Sequence, residues 1–126
     1  MAPRPQHHKA AFTLIEIMIV VAIIGLLAVV ALPSMIKARK QSQARRTLND
    51  ARQMDSAVEQ WAIDYNKKDG DPIDTASAAS YLKTSWKPND VLNHAYLVNT
   101  VGTSQIDIAT TTKSALSGVG VDWGNY

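Results

Sequence analysis

Hydrophobic and polar positions fall into three regimes along the chain. The first, IMIVVAIIGLLAVVALPSMI over 17–36, carries no formal charge across 20 residues. As a helix it is long enough to cross a hydrocarbon layer of about 30 Å. The second, KARKQSQARRTLNDARQMDSAVEQWAIDYNKK over 37–68, is rich in helix-forming residues. Its less polar positions, Ala44, Leu48, Ala51, Met54, Val58, Trp61 and Tyr65, step by threes and fours. That is one face of a helix and not a strand. A single helix over 12–66 would be roughly 80 Å long at ~1.5 Å per residue. A small domain has no use for such a length, so part of it must pack on something else.

The third regime is a short polar head. DGDP at 69–72 is a cluster of turn formers and is expected to close the helix. A short helix capped by Asp74 or Thr75 is predicted over 76–83, ending before Lys87-Pro88. Two strands follow, AYLVNT at 95–100 and QIDIATT at 105–111, joined by VGTS. The alternation in Gln105-Ile106-Asp107-Ile108 suits a half-buried antiparallel strand. The tail GVGVDWGNY reads as a third strand or a loop. Except for Phe12, every aromatic residue lies beyond position 60, which places the core there. About 60 residues make a marginal core alone, so the head is expected to lean on the helix. The class is α+β: a lollipop with a long N-terminal helix, hydrophobic and then amphipathic, packed on a small antiparallel sheet.

Composition changes the picture in two places. Cysteine is absent, which excludes disulfides, thiolate zinc sites and dithiol redox chemistry. The net charge of +2 conceals a strong local asymmetry. Lys37, Arg39, Lys40, Arg45, Arg46 and Arg52 against Asp50 give 37–52 a charge of +5, whereas five lysines against nine acids give −4 from Asp55 onward. A basic stripe of this kind can touch phosphates, but a helical stem suits it better, and no direct nucleic-acid partner is expected.

Glu16, one turn into the apolar stretch, is the position that asks for an explanation. A carboxylate in hydrocarbon is penalised by desolvation and needs water or a dedicated partner. A secretory signal has a shorter apolar region, and a plain anchor gives Glu16 no role. Arg4 and Lys9 on one side and the basic cluster at 37–46 on the other leave orientation undecided by charge.

The stretch KAAFTLIEIMIVVAIIGLLAVVALP resembles the N-terminal signature of type IV pilins and of the pseudopilins of type II secretion systems. The resemblance covers about 30 residues, and it implies a leader at 1–11 removed by a prepilin peptidase between Ala11 and Phe12. It further implies N-methylation of Phe12, which keeps the amine charged. Glu16 becomes the fifth mature residue and a docking charge for assembly, met by the Phe12 ammonium of a neighbouring subunit. Ala11 stands where the family usually has glycine, so slower processing is expected. The resulting division is a leader at 1–11, a transmembrane and assembly half of the helix at 12–36, an amphipathic half at 37–66 and a globular α/β head at 67–126. The implied partners are further copies in a helical filament, the peptidase, an inner-membrane assembly platform and the lipid bilayer. The implied location is the inner membrane as a single pass, with the C-terminal head outside the cytoplasm. Assembly then places the chain in a surface pilus or a periplasmic pseudopilus. A type IV pilus subunit is the first reading, with a major-pseudopilin-like subunit and a membrane-anchored or secreted periplasmic binding module as alternatives. By the same resemblance, Gly25 and Pro33 mark an interval where the stem loses helicity in filaments; a simple kink at Pro33 is the other reading.

Without the leader, basic and acidic side chains balance, so basic stem and acidic head of different copies are suited to stack; a solvated charged face is the alternative. No nucleophile–base constellation is visible, and no catalytic function is expected. His94 is isolated and reads as a surface or turn residue. Asp69, Asp71 and Asp74 around Gly70 weakly resemble a calcium loop, but the spacing lacks the full loop pattern and a plain turn is the preferred reading. Because major pseudopilins bind calcium in their C-terminal loops, Asp107 and Asp122 join Asp69 and Asp71 as calcium candidates, with no other cofactor expected.

Overall fold

The computed structural model describes residues 11–126. The leader expected at 1–11 therefore lies, apart from Ala11, outside the described residues. The chain divides into two units, Met1–Ile36 and Lys37–Tyr126.

Helix α1 spans Leu14–Asp64 without a break, within two residues of the sequence expectation at each end. In the first unit every described residue is exposed. In the second, burial on α1 begins at Ala44 and recurs at Thr47, Leu48, Ala51, Met54, Ala57, Val58, Trp61 and Ala62. This is the three-and-four spacing of one helix face, read correctly from Ala44 to Trp61. Tyr65 departs from the expectation and is exposed, because the helix has already ended.

Its end is a correction. DGDP does not stop α1; Asn66 does, with a left-handed φ of 51°. The Lys67 N–H donates to the Ala62 carbonyl at 2.8 Å and the Asn66 N–H to that of Ile63 at 3.1 Å. These paired bonds satisfy carbonyls that the helix end leaves free. The Lys67 ammonium then lies 5.5 Å from the centroid of the Trp61 ring.

The head covers the buried face of α1. Asp74 caps a single helical turn, α2 (Thr75–Ala78), accepting from the Ala76 N–H at 3.0 Å. A 3-10 turn, Ala79–Tyr81, follows, so the expected 76–83 helix is shorter and changes type. Strands β1 (Leu97–Val98) and β2 (Ile106–Asp107) pair antiparallel, with Leu97 opposite Asp107 and Val98 opposite Ile106. Both strands are shorter than expected, and the ends of the first, Ala95 and Thr100, form isolated bridges to Asn89 and Pro72 instead.

Residues 110–111 were expected to continue the second strand; they begin helix α3 (Thr110–Ala115) instead. The helical turn lets the Thr112 hydroxyl reach Asp90 and brings the Lys113 ammonium 2.9 Å from Asp107. The tail forms no strand, since Gly118, Gly120 and Gly124 take φ of 74°, 69° and 60°, a left-handed conformation incompatible with a ladder. One core cluster gathers Met54, Val58 and Trp61 with Tyr96, Val101, Ile106 and Ile108; a smaller one joins Ala44 to Leu116 and Val119. A long helix packed on a small antiparallel sheet confirms the α+β class.

Candidate functional site

The first turn of α1 is built by a reciprocal pair. The Thr13 N–H donates to Glu16 Oε2 at 2.8 Å, and the Glu16 N–H donates to Thr13 Oγ1 at 3.3 Å. This is a capping box, which satisfies two of the donors that a helix start leaves free. Glu16 thus has a partner inside its own chain. Thr13 is the capping partner that the sequence reading missed, although the T-x-x-E spacing before an apolar run announces it.

Behind this cap stands a surface that water does not tolerate. Every residue from 11 to 40 is exposed, including Phe12 at 82%. Burying each large apolar side chain gains roughly 1.5–3 kcal/mol, so leaving 17–36 in water costs tens of kcal/mol. A helix apolar all round belongs in lipid or in a bundle of its own kind. By length and composition α1 is long and apolar enough to cross a membrane. Gly25 and Pro33 both lie within the continuous helix. A Cβ at Gly25 would meet nothing within 4 Å, so no packing inside this chain requires the glycine.

The calcium candidates have local work. Asp71 accepts from the Lys68 N–H at 2.9 Å, and Asp122 from the Gly124 N–H at 3.0 Å. Asp107 accepts from the Ile108 N–H at 2.7 Å and pairs with Lys113. Asp69 lines a recess beside Lys67 and Gly102. Among the described residues, no three His, Cys, Asp or Glu side chains gather as a metal site would require.

His94 is more connected than expected. Its Nδ1 lies 2.7 Å from Thr112 Oγ1, and the Thr112 hydroxyl donates to Asp90. The Asp90 carboxylate, on a side chain only 1% exposed, also accepts from the Leu92 and His94 N–H groups at 2.8 and 3.0 Å. Because the threonine proton is committed to Asp90, the imidazole must be the donor to its oxygen. The network braces the 90–94 turn against α3.

Hydrogen bonding and burial perturb several groups in the head. The bond from Tyr81 to Asp64, 2.7 Å, holds the Tyr81 phenol up at about 12. Burial, with the charges of Asp50 and Asp90, raises Tyr96 well above the usual phenol range. Its hydroxyl donates to the Thr47 carbonyl at 3.2 Å, so the neutral form is the one the core uses.

Comparison with known proteins adds to this geometry. Residues 6–32 match the prokaryotic N-terminal methylation motif. The chain is 33% identical over 86 residues to the competence protein ComGC of Halalkalibacterium halodurans, covering 68% of this chain and 83% of that protein. It is 47% identical over 61 residues to a type IV major fimbrial protein FimA of Dichelobacter nodosus, covering 48% of this chain and 38% of that protein. Over 61 residues it is 28% identical to the type II secretion system core protein G of Pectobacterium carotovorum subsp. carotovorum, covering 48% of this chain and 39% of that protein. The chain thus spans well under half the length of the fimbrial and secretion proteins. No solved structure matches it significantly. With the methylation motif at its N-terminal end and 33% identity to a relative of which it covers 83%, the chain belongs to the type IV pilin and pseudopilin family.

Proposed function

We propose that the chain is a structural subunit of a type IV pilus filament. A prepilin peptidase removes 1–11, cutting between Ala11 and Phe12, and the new Phe12 amine is methylated. The subunit waits in the cytoplasmic membrane as a single pass, with its head 67–126 outside the cytoplasm, until an inner-membrane platform extracts it. Polymerisation then buries the 12–36 half of α1 among other copies, with 37–66 carrying the head. The observation that carries this reading is the fully exposed, charge-free stretch beginning directly behind Thr13 and Glu16.

The charge of Glu16 gives that stretch a register. Alone, its carboxylate is supported by one backbone N–H. In a bundle, the Phe12 ammonium of a neighbour supplies a cation, and an opposite charge within about 4 Å favours the ionised acid. A polar group that is satisfied in only one alignment fixes the axial setting of packed helices. Gly25 and Pro33 are the positions where the stem yields if it stretches in the filament.

Two related filaments are the alternatives. A pseudopilus is favoured by the likeness to the secretion core protein G, and a competence filament by the likeness to the competence protein, of which this chain covers 83%. Mass spectrometry of the native protein, with electron microscopy of sheared cell fractions, tests the proposal. The expected product begins at N-methylated Phe12 and is found in fibres that wild-type cells carry at their surface. A different first residue, or a free monomer, overturns the subunit reading. Fibres confined to the periplasm would replace the pilus by a pseudopilus.

A further inference from the structure

A cleft of about 480 Å³ opens in the head between α1 and the 102–105 turn, lined by Asp55, Glu59, Gly102, Ser104, Gln105 and Tyr126. Asp55 and Glu59 stand one turn apart on α1, an arrangement in which like charges repel. Gln105 is 8% exposed, and its Oε1 is shut off from solvent without a hydrogen-bond partner. Leaving such an acceptor unpaired is costly. Among the described residues, no cation forms an ion pair with Asp55 or Glu59; the one polar contact to either carboxylate is the Tyr126 hydroxyl, 3.1 Å from Asp55 Oδ2. Burial pushes the Asp55 carboxyl above its ordinary range, the Tyr126 bond pulls it down, and the Glu59 charge raises it further. The cleft gathers two carboxylates and an unpaired amide oxygen, and no lysine or arginine lines it.

The same chain carries the complement. Lys37, Arg39 and Lys40 lie on a part of α1 where every residue is exposed, before burial starts at Ala44. Arg45 and Arg46, by contrast, flank Ala44 and Thr47, which the chain's own head covers. None of the three cations at 37–40 is in an ion pair among the described residues. We infer that the cleft of Asp55, Glu59 and Gln105 receives a lysine of the 37–40 segment of a second copy of this chain. An ammonium has three donors and no acceptor, which suits two carboxylates and one amide oxygen. With two carboxylates and no third anionic or imidazole ligand, the set is poor for a metal ion. The pairing rests on the filament reading and makes it more specific. The two copies run parallel, displaced along the stem by the 15–22 residues between donor and acceptor positions, roughly 22–33 Å.

Zero-length cross-linking tests the contact. Filaments sheared from cells producing the full chain are treated with a water-soluble carbodiimide, which joins a carboxylate to an amine only where they touch. Peptide mass spectrometry should find Asp55 or Glu59 bonded to Lys37 or Lys40. The separation of these positions along one helix rules out a bond within a single chain. Asp55→Asn combined with Glu59→Gln should abolish those products and at least halve the salt concentration at which filaments fall apart. The circular dichroism of the solubilised subunit should stay unchanged. Wild-type filaments that lack these cross-links overturn this inference alone. So does a calcium-induced rise in the wild-type melting temperature that is absent in the double variant, since it assigns the cleft to a divalent cation. A wild-type chain that forms no filaments overturns the subunit reading first and this contact with it.

Discussion

The Lys87 ammonium donates to the carboxylate of Asp50 at 2.6 Å, joining positions 37 apart in the sequence. Asp50 Oδ1 sits on a side chain 9% exposed, whereas that of Lys87 is 36% exposed. The pair fastens the segment before β1 to the buried face of α1. Removing one partner of a fully buried pair costs several kcal/mol, and exposed pairs are worth far less.

Lys87→Met strands a desolvated carboxylate and should cost roughly 1–3 kcal/mol, between those two limits. Asp50→Leu with Lys87→Met should recover part of that loss, because no charge then remains buried. Thermal unfolding of the detergent-solubilised chain, followed by circular dichroism, checks both. An unchanged midpoint for Lys87→Met would mean that the pair contributes nothing.

The Schellman stop at Asn66 predicts an ordering of substitutions that propensity alone does not. Asn66→Gly should leave stability unchanged or raise it, since glycine takes a positive φ freely. Asn66→Val should lose about 1–2 kcal/mol, because a branched side chain collides in the left-handed region. Tryptophan fluorescence reports the same event, as Lys67 leaves the Trp61 ring when the stop unravels.

What the sequence discloses depends on how far apart the deciding contacts lie. The run from Ala44 to Trp61 is legible because spacing and propensity agree over many turns. Helix α3 is not: Thr110-Thr111-Thr112 favours a strand locally, and the bond that decides against it reaches Asp90, 22 positions away. Asn66 was overlooked beside the louder DGDP. Thr13 carried a readable spacing, yet the demand for a partner to Glu16 pointed outside the chain. Asp55 and Glu59 are visible as a like-charge pair on a helix, but Gln105 comes to them only through the 102–105 turn.

Acid titration should separate two carboxylates of opposite sign. Hydrogen bonds from Ser77 hold Asp74 below its ordinary 3.8, so its stabilisation is full above that value. It is lost as pH falls through the folded-state value. Asp55 is raised above 3.8 by burial, so the fold binds its proton more tightly than the unfolded chain does. Stability therefore falls as pH rises from 3.8 through the folded value of Asp55. Asp55→Asn should remove the gain seen on mild acidification. Asp74→Asn keeps a cap and should remove the loss seen at lower pH. Melting temperatures across an acid series measure both.

The stem offers a test of stiffness. Pro33 has no N–H to give to the helix and crowds the turn before it, while Gly25 gains nothing from its missing side chain within this chain. Gly25→Ala should stabilise the helix by up to about 1 kcal/mol. Hydrogen exchange of the solubilised chain should slow around 25–33 in Gly25→Ala and more in Pro33→Ala. If filaments depend on a yielding stem, both variants should insert normally and give shorter or fewer fibres. Normal fibres from Pro33→Ala would remove that role.

Glu16 has two candidate duties, and a single pair of substitutions tells them apart. As the third helical residue of the capping box it needs only an acceptor oxygen, which glutamine also provides. As a docking charge it needs to be an anion, which glutamine is not. Glu16→Ala removes both properties and Glu16→Gln removes only the second. Docking by charge therefore requires that both variants enter the membrane and are cleaved, yet assemble equally poorly. Capping alone requires that Glu16→Gln builds filaments and Glu16→Ala does not. Thr13→Val provides the converse, because it breaks the cap from the other side and leaves the charge in place. Under the docking reading it should cost no more than a fraction of assembly, measured as fibre mass per cell against the membrane pool. Full loss in Thr13→Val with full recovery in Glu16→Gln would leave the acid as a helix cap and nothing more.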